Sequence, residues 1–95
     1  MRLYDFEKKA LKRIFEDFDG EIYIFGSRLK NDKKGGDIDI ILKPKKKLFL
    51  KDILKIQAKY FLLTDTNIDI IQYDENNPFI KEVMKNAKKL DLSSL

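Results

Sequence analysis

Asp37-Ile38-Asp39-Ile40-Ile41-Leu42 is the stretch whose reading decides the fold. Isoleucines at 38 and 40 alternate with aspartates at 37 and 39, the two-residue period of a strand with one face in a core. Both acids then project from the other face, about 6.5–7 Å apart along the chain. A one-residue slip would exchange the faces, so burial of Ile38 and Ile40 sets the side that Asp37 and Asp39 occupy. Any solvated sheet face shows such alternation, so a chemical role for the acids needs support from the rest of the chain.

Upstream, Ile22-Tyr23-Ile24-Phe25 is a β-branched and aromatic run ending at Gly26-Ser27, the pattern of a strand covered on both faces. Before it, Leu3, Phe6, Ala10, Ile14 and Phe18, widened by Leu11 and Phe15, recur at helical spacing, and Asp19-Gly20 supplies a stop. Arg28 to Gly36 is polar and basic and reads as a loop with room for one helical turn. Downstream, Pro44 and Lys45 to Lys47 end the second strand. Leu50, Ile53, Leu54, Ala58 and Phe61 predict a helix buried on that face and running to about Leu63. Ile68 to Tyr73 predicts a third strand. Asn77-Pro78 predicts the start of a last helix, with Ile80, Val83, Met84, Ala87 and Leu90 on its buried face. Asp91 to Leu95 is expected to fray. The expected fold class is α/β (α+β), a small mixed sheet flanked by helices in the order α-β-β-α-β-α.

Composition narrows the chemistry. The 95 residues suit one domain over 1–95, and at this length folding covers little more than about 60% of the unfolded chain's surface, which leaves room for a partner chain, a second copy included. Hydrophobic residues at 43% against 38% charged are enough for a core and place the chain among globular proteins. With no cysteine and no histidine, disulfides, thiolate metal sites and Ser-His-Asp or Cys-His catalysis are excluded, leaving carboxylates, lysines, hydroxyls and hard metals. No apolar run is long enough for a membrane span and Met1 to Asp5 lacks a signal-peptide core, so a cytoplasmic address is expected. A net charge of +4 favours polyanions only weakly.

A third acid, Asp69, lies between Ile68 and Ile70 on the third predicted strand, where β-propensity favours an apolar residue. Gly26-Ser27, just ahead of the first acid pair, offers a close backbone approach, a hydroxyl and free N–H groups, which suit a phosphate. Magnesium prefers carboxylate and phosphate oxygens, and two such ions activate a hydroxyl while clamping a phosphoryl group. Arg28 directly follows Ser27 and is expected to reach phosphate with its planar fork, and Lys33 and Lys34 to face a triphosphate. Lys45 to Lys47 read as a solvated charge run, and Tyr4, Tyr23, Tyr60 and Tyr73 as core or boundary residues.

Ile24-Phe25-Gly26-Ser27-Arg28 followed by Gly36-Asp37-Ile38-Asp39-Ile40 resembles the Gly-Ser, spacer, Asp-x-Asp signature of the polymerase β superfamily, in its minimal nucleotidyltransferase branch, and Asp69 resembles that family's third acid. The spacer is slightly shorter than the commonest form, and the acceptor-binding domain of larger members has no counterpart here. The resemblance implies an enzyme that moves a nucleoside monophosphate, AMP from ATP, onto a hydroxyl acceptor. It implies Asp37, Asp39 and Asp69 as catalytic and metal-binding residues, two Mg²⁺ ions, and Gly26, Ser27 and Arg28 around the nucleotide phosphates. Similar chains pair with a helical partner of the HEPN type, and some act as antitoxins in toxin–antitoxin systems by adenylylating that partner. Transfer to a small-molecule hydroxyl and a non-catalytic partner-binding subunit are the alternatives. A nucleic-acid-binding module fits less well, because the strand acids would repel phosphate.

Overall fold

A computed structural model describes residues 2–29 and 36–95, apart from the Ser27 side chain. The chain forms α1 (Asp5–Ile14), β1 (Gly20–Phe25), a 3₁₀ turn (Gly26–Leu29), β2 (Ile38–Pro44), α2 (Leu50–Thr64), β3 (Ile68–Gln72), α3 (Pro78–Met84), β4 (Lys88–Lys89) and a second 3₁₀ turn (Leu92–Ser94). Its sheet has the order β3-β2-β1-β4. β1 is antiparallel to β2 and to β4, whereas β2 and β3 run parallel with α2 as their crossover. This is the small mixed sheet with helices that the sequence predicts.

Register follows the apolar alternation. Ile24, Ile40 and Ile70 stand in one row and Ile22, Leu42 and Gln72 in the next. The isoleucines and Leu42 are buried in the core cluster with Ala10, Leu11, Ile14 and Phe15 of α1 and Ile53 and Tyr60 of α2. Each such side chain contributes about 1.5–3 kcal/mol by leaving water, and together they hold β2 in register. On the other sheet face Phe25, Asp39 and Asp69 form one row and Tyr23, Ile41 and Ile71 another. α3 lies on that side, where Phe79 meets Phe25 edge-on with ring centroids 6.4 Å apart.

Several expected boundaries shift. α1 ends at Ile14, short of Phe18, because Phe15 leaves the helix to become buried and the chain turns there, Phe18 N–H donating to the Phe15 carbonyl. Phe6 is 49% exposed and stacks on Tyr4, while Glu7 takes the place on the buried face. In α2 the inward residues are Ile53, as expected, and Tyr60, while Leu50, Leu54, Ala58 and Phe61 of the expected face are exposed. α2 is apolar on more than one side, and periodicity alone cannot say which side faces the sheet. Asn77 caps α3 as expected, its side chain accepting from Phe79 and Ile80 N–H groups. That helix stops at Met84. Lys88 and Lys89 then pair with Ile24 and Tyr23 as β4, and Leu90 is buried from this strand. Two lysines carry no strand signal, and only the open edge of β1 recruits them. The tail does not fray: Asp91 accepts from Ser93, and Leu92 and Leu95 pack against the core.

The two sides of α2 are separable by adjacent truncations. Ile53→Ala is expected to cost about 2–5 kcal/mol and Leu54→Ala less than about 0.5 kcal/mol, read by urea unfolding. Equal costs would show that Leu54 also faces the core.

Candidate active site

The acids meet where β2 and β3 run side by side. Asp39 is the register partner of Asp69 on one side and of Phe25 on the other. Asp37 lies just before Ile38, where β2 begins, so it is exposed at the strand entrance instead of within the strand. Burial, then the charges of Asp69 and Asp37, push the Asp39 carboxyl above the ordinary aspartate value. Like charges are thus held together against their repulsion, a common arrangement at functional sites. Folded Asp39 binds its proton more tightly than the unfolded chain does, so this group's contribution to stability falls as pH rises above the ordinary aspartate range.

Gly26 opens the 3₁₀ turn directly after β1 with φ at 81°, a conformation that glycine accepts and side chains resist. A Cβ there would stand 2.5 Å from Asp39 Oδ2. The turn therefore lies against the central acid, which explains a glycine at this point. Ser27 belongs to the same turn. Lys30, Asp32, Lys33, Lys34 and Gly35 lie outside the described residues.

Arg28 departs from expectation. It is 5% exposed and paired with Glu7, which is 2% exposed. Nη1 and Nη2 each donate to a Glu7 carboxylate oxygen at 2.7 Å, Nη1 also donates to the Arg2 carbonyl and Nε to the Gly36 carbonyl, both at 3.1 Å. The hydrogen bonds to Glu7 raise its already high pKa further. Every nitrogen of the fork is engaged within the fold, so its expected reach to phosphate is replaced by a structural tie. Sequence reading missed Glu7. The signal was a charged residue on the apolar stripe, three and four positions before Ala10 and Leu11.

A cleft of about 320 Å³ opens beside Asp37 and Asp69, and Leu54, Ala58 and Phe61 of α2 form its apolar wall. These are the residues expected in the core, and their exposure gives the site its second side. A hollow of about 740 Å³ at the far end of β2 and β3 is larger, but its Lys43, Lys47, Asp74 and Glu75 are exposed charges of both signs. The first cleft is the one that touches the acid cluster, through Asp37 and Asp69, while Asp39 stands outside its lining.

The donor set is carboxylate oxygen throughout, the chemistry of a hard cation such as magnesium, and a cation would relieve the repulsion at Asp39. Among the described residues no group of three acids forms a ready-made metal cage. Magnesium fits such a site nonetheless, since it is commonly held by one or two carboxylates together with substrate phosphates.

Asp39 and Asp69 thus face each other on parallel strands, with the Gly26 turn against Asp39, in a small mixed sheet of the polymerase β nucleotidyltransferase type. The chain belongs to the family described as Polymerase beta, Nucleotidyltransferase, which matches residues 9–92. It is a transferase domain, and nucleotidyl transfer is the general chemistry of its family. No curated protein matches it at a significant level. No helix among the described residues is long and apolar enough to cross a membrane.

If repulsion between facing acids is stored in the fold, removing one charge must stabilise it. Asp69→Asn is expected to raise Tm by about 2–4 °C in metal-free buffer. A Tm that is unchanged or lower would mean that the acids are already screened from one another.

Proposed function

We propose that this protein transfers a nucleoside monophosphate, AMP from ATP, to a hydroxyl on a partner protein, with magnesium at Asp37, Asp39 and Asp69. The observation that carries the reading is the pairing of Asp39 with Asp69 on adjacent parallel strands, with the Gly26 turn against Asp39. Magnesium, when bound, neutralises phosphate charge and lowers the pKa of a coordinated hydroxyl. Asp37 and Asp39 hold it together with the triphosphate. The Gly26-Ser27 turn holds the β- and γ-phosphates through the Ser27 hydroxyl and backbone N–H groups. Asp69, more exposed than Asp39 and on the cleft side, takes the proton of the attacking hydroxyl. The hydroxyl oxygen bonds to the α-phosphorus, the bond from that phosphorus to the β-phosphate oxygen breaks, and pyrophosphate leaves.

A protein acceptor is favoured over a small molecule by the apolar surface continuing from the cleft. Leu50, Leu54, Phe61 and Leu62 of α2 are exposed, at 71%, 52%, 45% and 84%. An exposed apolar patch of this kind is a feature of protein–protein contact. The resemblance to minimal nucleotidyltransferases points to a small helical partner of the HEPN type and to an antitoxin role.

Incubation with α-labelled ATP, Mg²⁺ and a small helical protein encoded beside this one should label that protein. Chelation should stop the labelling. Asp37→Asn and Asp39→Asn should each lower turnover by about 10³-fold or more and weaken calorimetric binding of Mg²⁺ with a non-hydrolysable triphosphate. Asp69→Ala should lose turnover while keeping most of that binding. Unchanged metal–nucleotide binding in both Asp37→Asn and Asp39→Asn would refute the assignment.

A further inference from the structure

Arg28 and Glu7 form a buried ion pair whose reach exceeds what stability alone requires. The pair satisfies itself through two 2.7 Å bonds, yet Arg28 also spends Nε on the carbonyl of Gly36, eight positions on and immediately before Asp37. Its backbone closes a further link, the Arg28 carbonyl accepting from Arg2 N–H while Nη1 donates to the Arg2 carbonyl. Glu7 is held in turn, Oε1 accepting from the Tyr4 N–H at the start of α1. One planar group thus joins the first turn of α1, the turn after β1 and the residue that leads into β2.

The guanidinium is rigid, so its two Nη bonds to Glu7 fix the direction in which Nε points. That direction sets where Gly36 stands relative to the Gly26–Leu29 turn. Asp37 follows Gly36, and Gly26 lies against Asp39, so both sides of the acid site inherit the spacing. We propose that Arg28, anchored by Glu7, is a positioning residue that holds the Gly26-Ser27 turn and the entrance to β2 at the separation the transfer reaction needs. The link to turnover rests on the function proposed above; the link to geometry does not.

A double variant separates positioning from stability. Glu7→Leu with Arg28→Met removes both charges together, so neither is left buried and unpaired, and apolar replacement of such pairs commonly preserves the fold. Hydrogen exchange in the double variant should be faster by about tenfold or more at the amides of 26–29 and 36–38, and unchanged at Ile40, Ile41 and Ile70. Unchanged exchange at 26–29 and 36–38, or an equal rise throughout the sheet, would overturn the proposal, since the pair would then be idle or a stability element only. The amide readout decides this even if wild-type protein transfers no nucleotide, a result that would defeat the proposed function alone.

Given a wild-type activity, the double variant should lose about 10²-fold in kcat, the order expected for a displacement near 1 Å, with a much smaller change in the KM for triphosphate. Arg28→Lys alone, which keeps the charge but not the planar fork, should show the same kcat-weighted loss. A rise in KM with kcat retained would overturn positioning in favour of direct phosphate binding by Arg28.

Discussion

The burial of Ile38, Ile40 and Leu42 against α1 and α2 is the constraint on which the rest of the structure depends. Side chains on a strand alternate, so once these three face the helices, Asp39 must face the other way. β2 occupies an inner position of the sheet, and its register with β3 sets Asp39 opposite Asp69. A slip of one residue would bury the acid and expose the isoleucines, at a cost of several buried side chains. The hydrophobic core thereby opposes the repulsion that the acid row introduces.

Parallel pairing of β2 and β3 requires a crossover, and α2 supplies it. The helix packs Ile53 and Tyr60 inward and uses Gln57 Oε1 to accept the Ile70 N–H, which covers a backbone donor on the outer edge of β3. The same geometry leaves Leu54, Ala58 and Phe61 beside Asp37 and Asp69. A single element therefore closes the fold on one side and walls the cleft on another. This division leaves Leu50, Leu54, Phe61 and Leu62 uncovered.

Buried charge is used sparingly and in two different ways. Glu7 and Arg28 cancel one another and satisfy their remaining hydrogen-bonding groups on backbone, so the pair is tolerated inside the protein. Asp39 is half-buried with like charges for neighbours, and its burial first and the charges of Asp69 and Asp37 second push its carboxyl above the ordinary aspartate value. A fold that tolerates repulsion at one point while neutralising charge completely at another treats the two places differently: the first attracts a cation, while the second ties backbone segments together.

Much of this was legible in the chain itself. The alternation at 37–42, the apolar run at 22–25, the β-branched stretch at 68–73 and the Asn77-Pro78 cap determined three strands and the last helix start, because strand and helix periods are local properties, whereas the pairing of β2 with β3 that sets Asp39 opposite Asp69 is not. The Gly-Ser and Asp-x-Asp spacing pointed to the family for the same reason. Tertiary structure alone decided which side of α2 is buried, the recruitment of Lys88 and Lys89 as a strand and the ordering of the tail. It also decided the fate of Arg28, which from sequence beside Ser27 reads as a phosphate ligand and in the fold finds Glu7, twenty-one positions earlier, at 2.7 Å. A guanidinium binds whichever carboxylate or phosphate reaches it, and only the packing of α1 against the sheet brings one there.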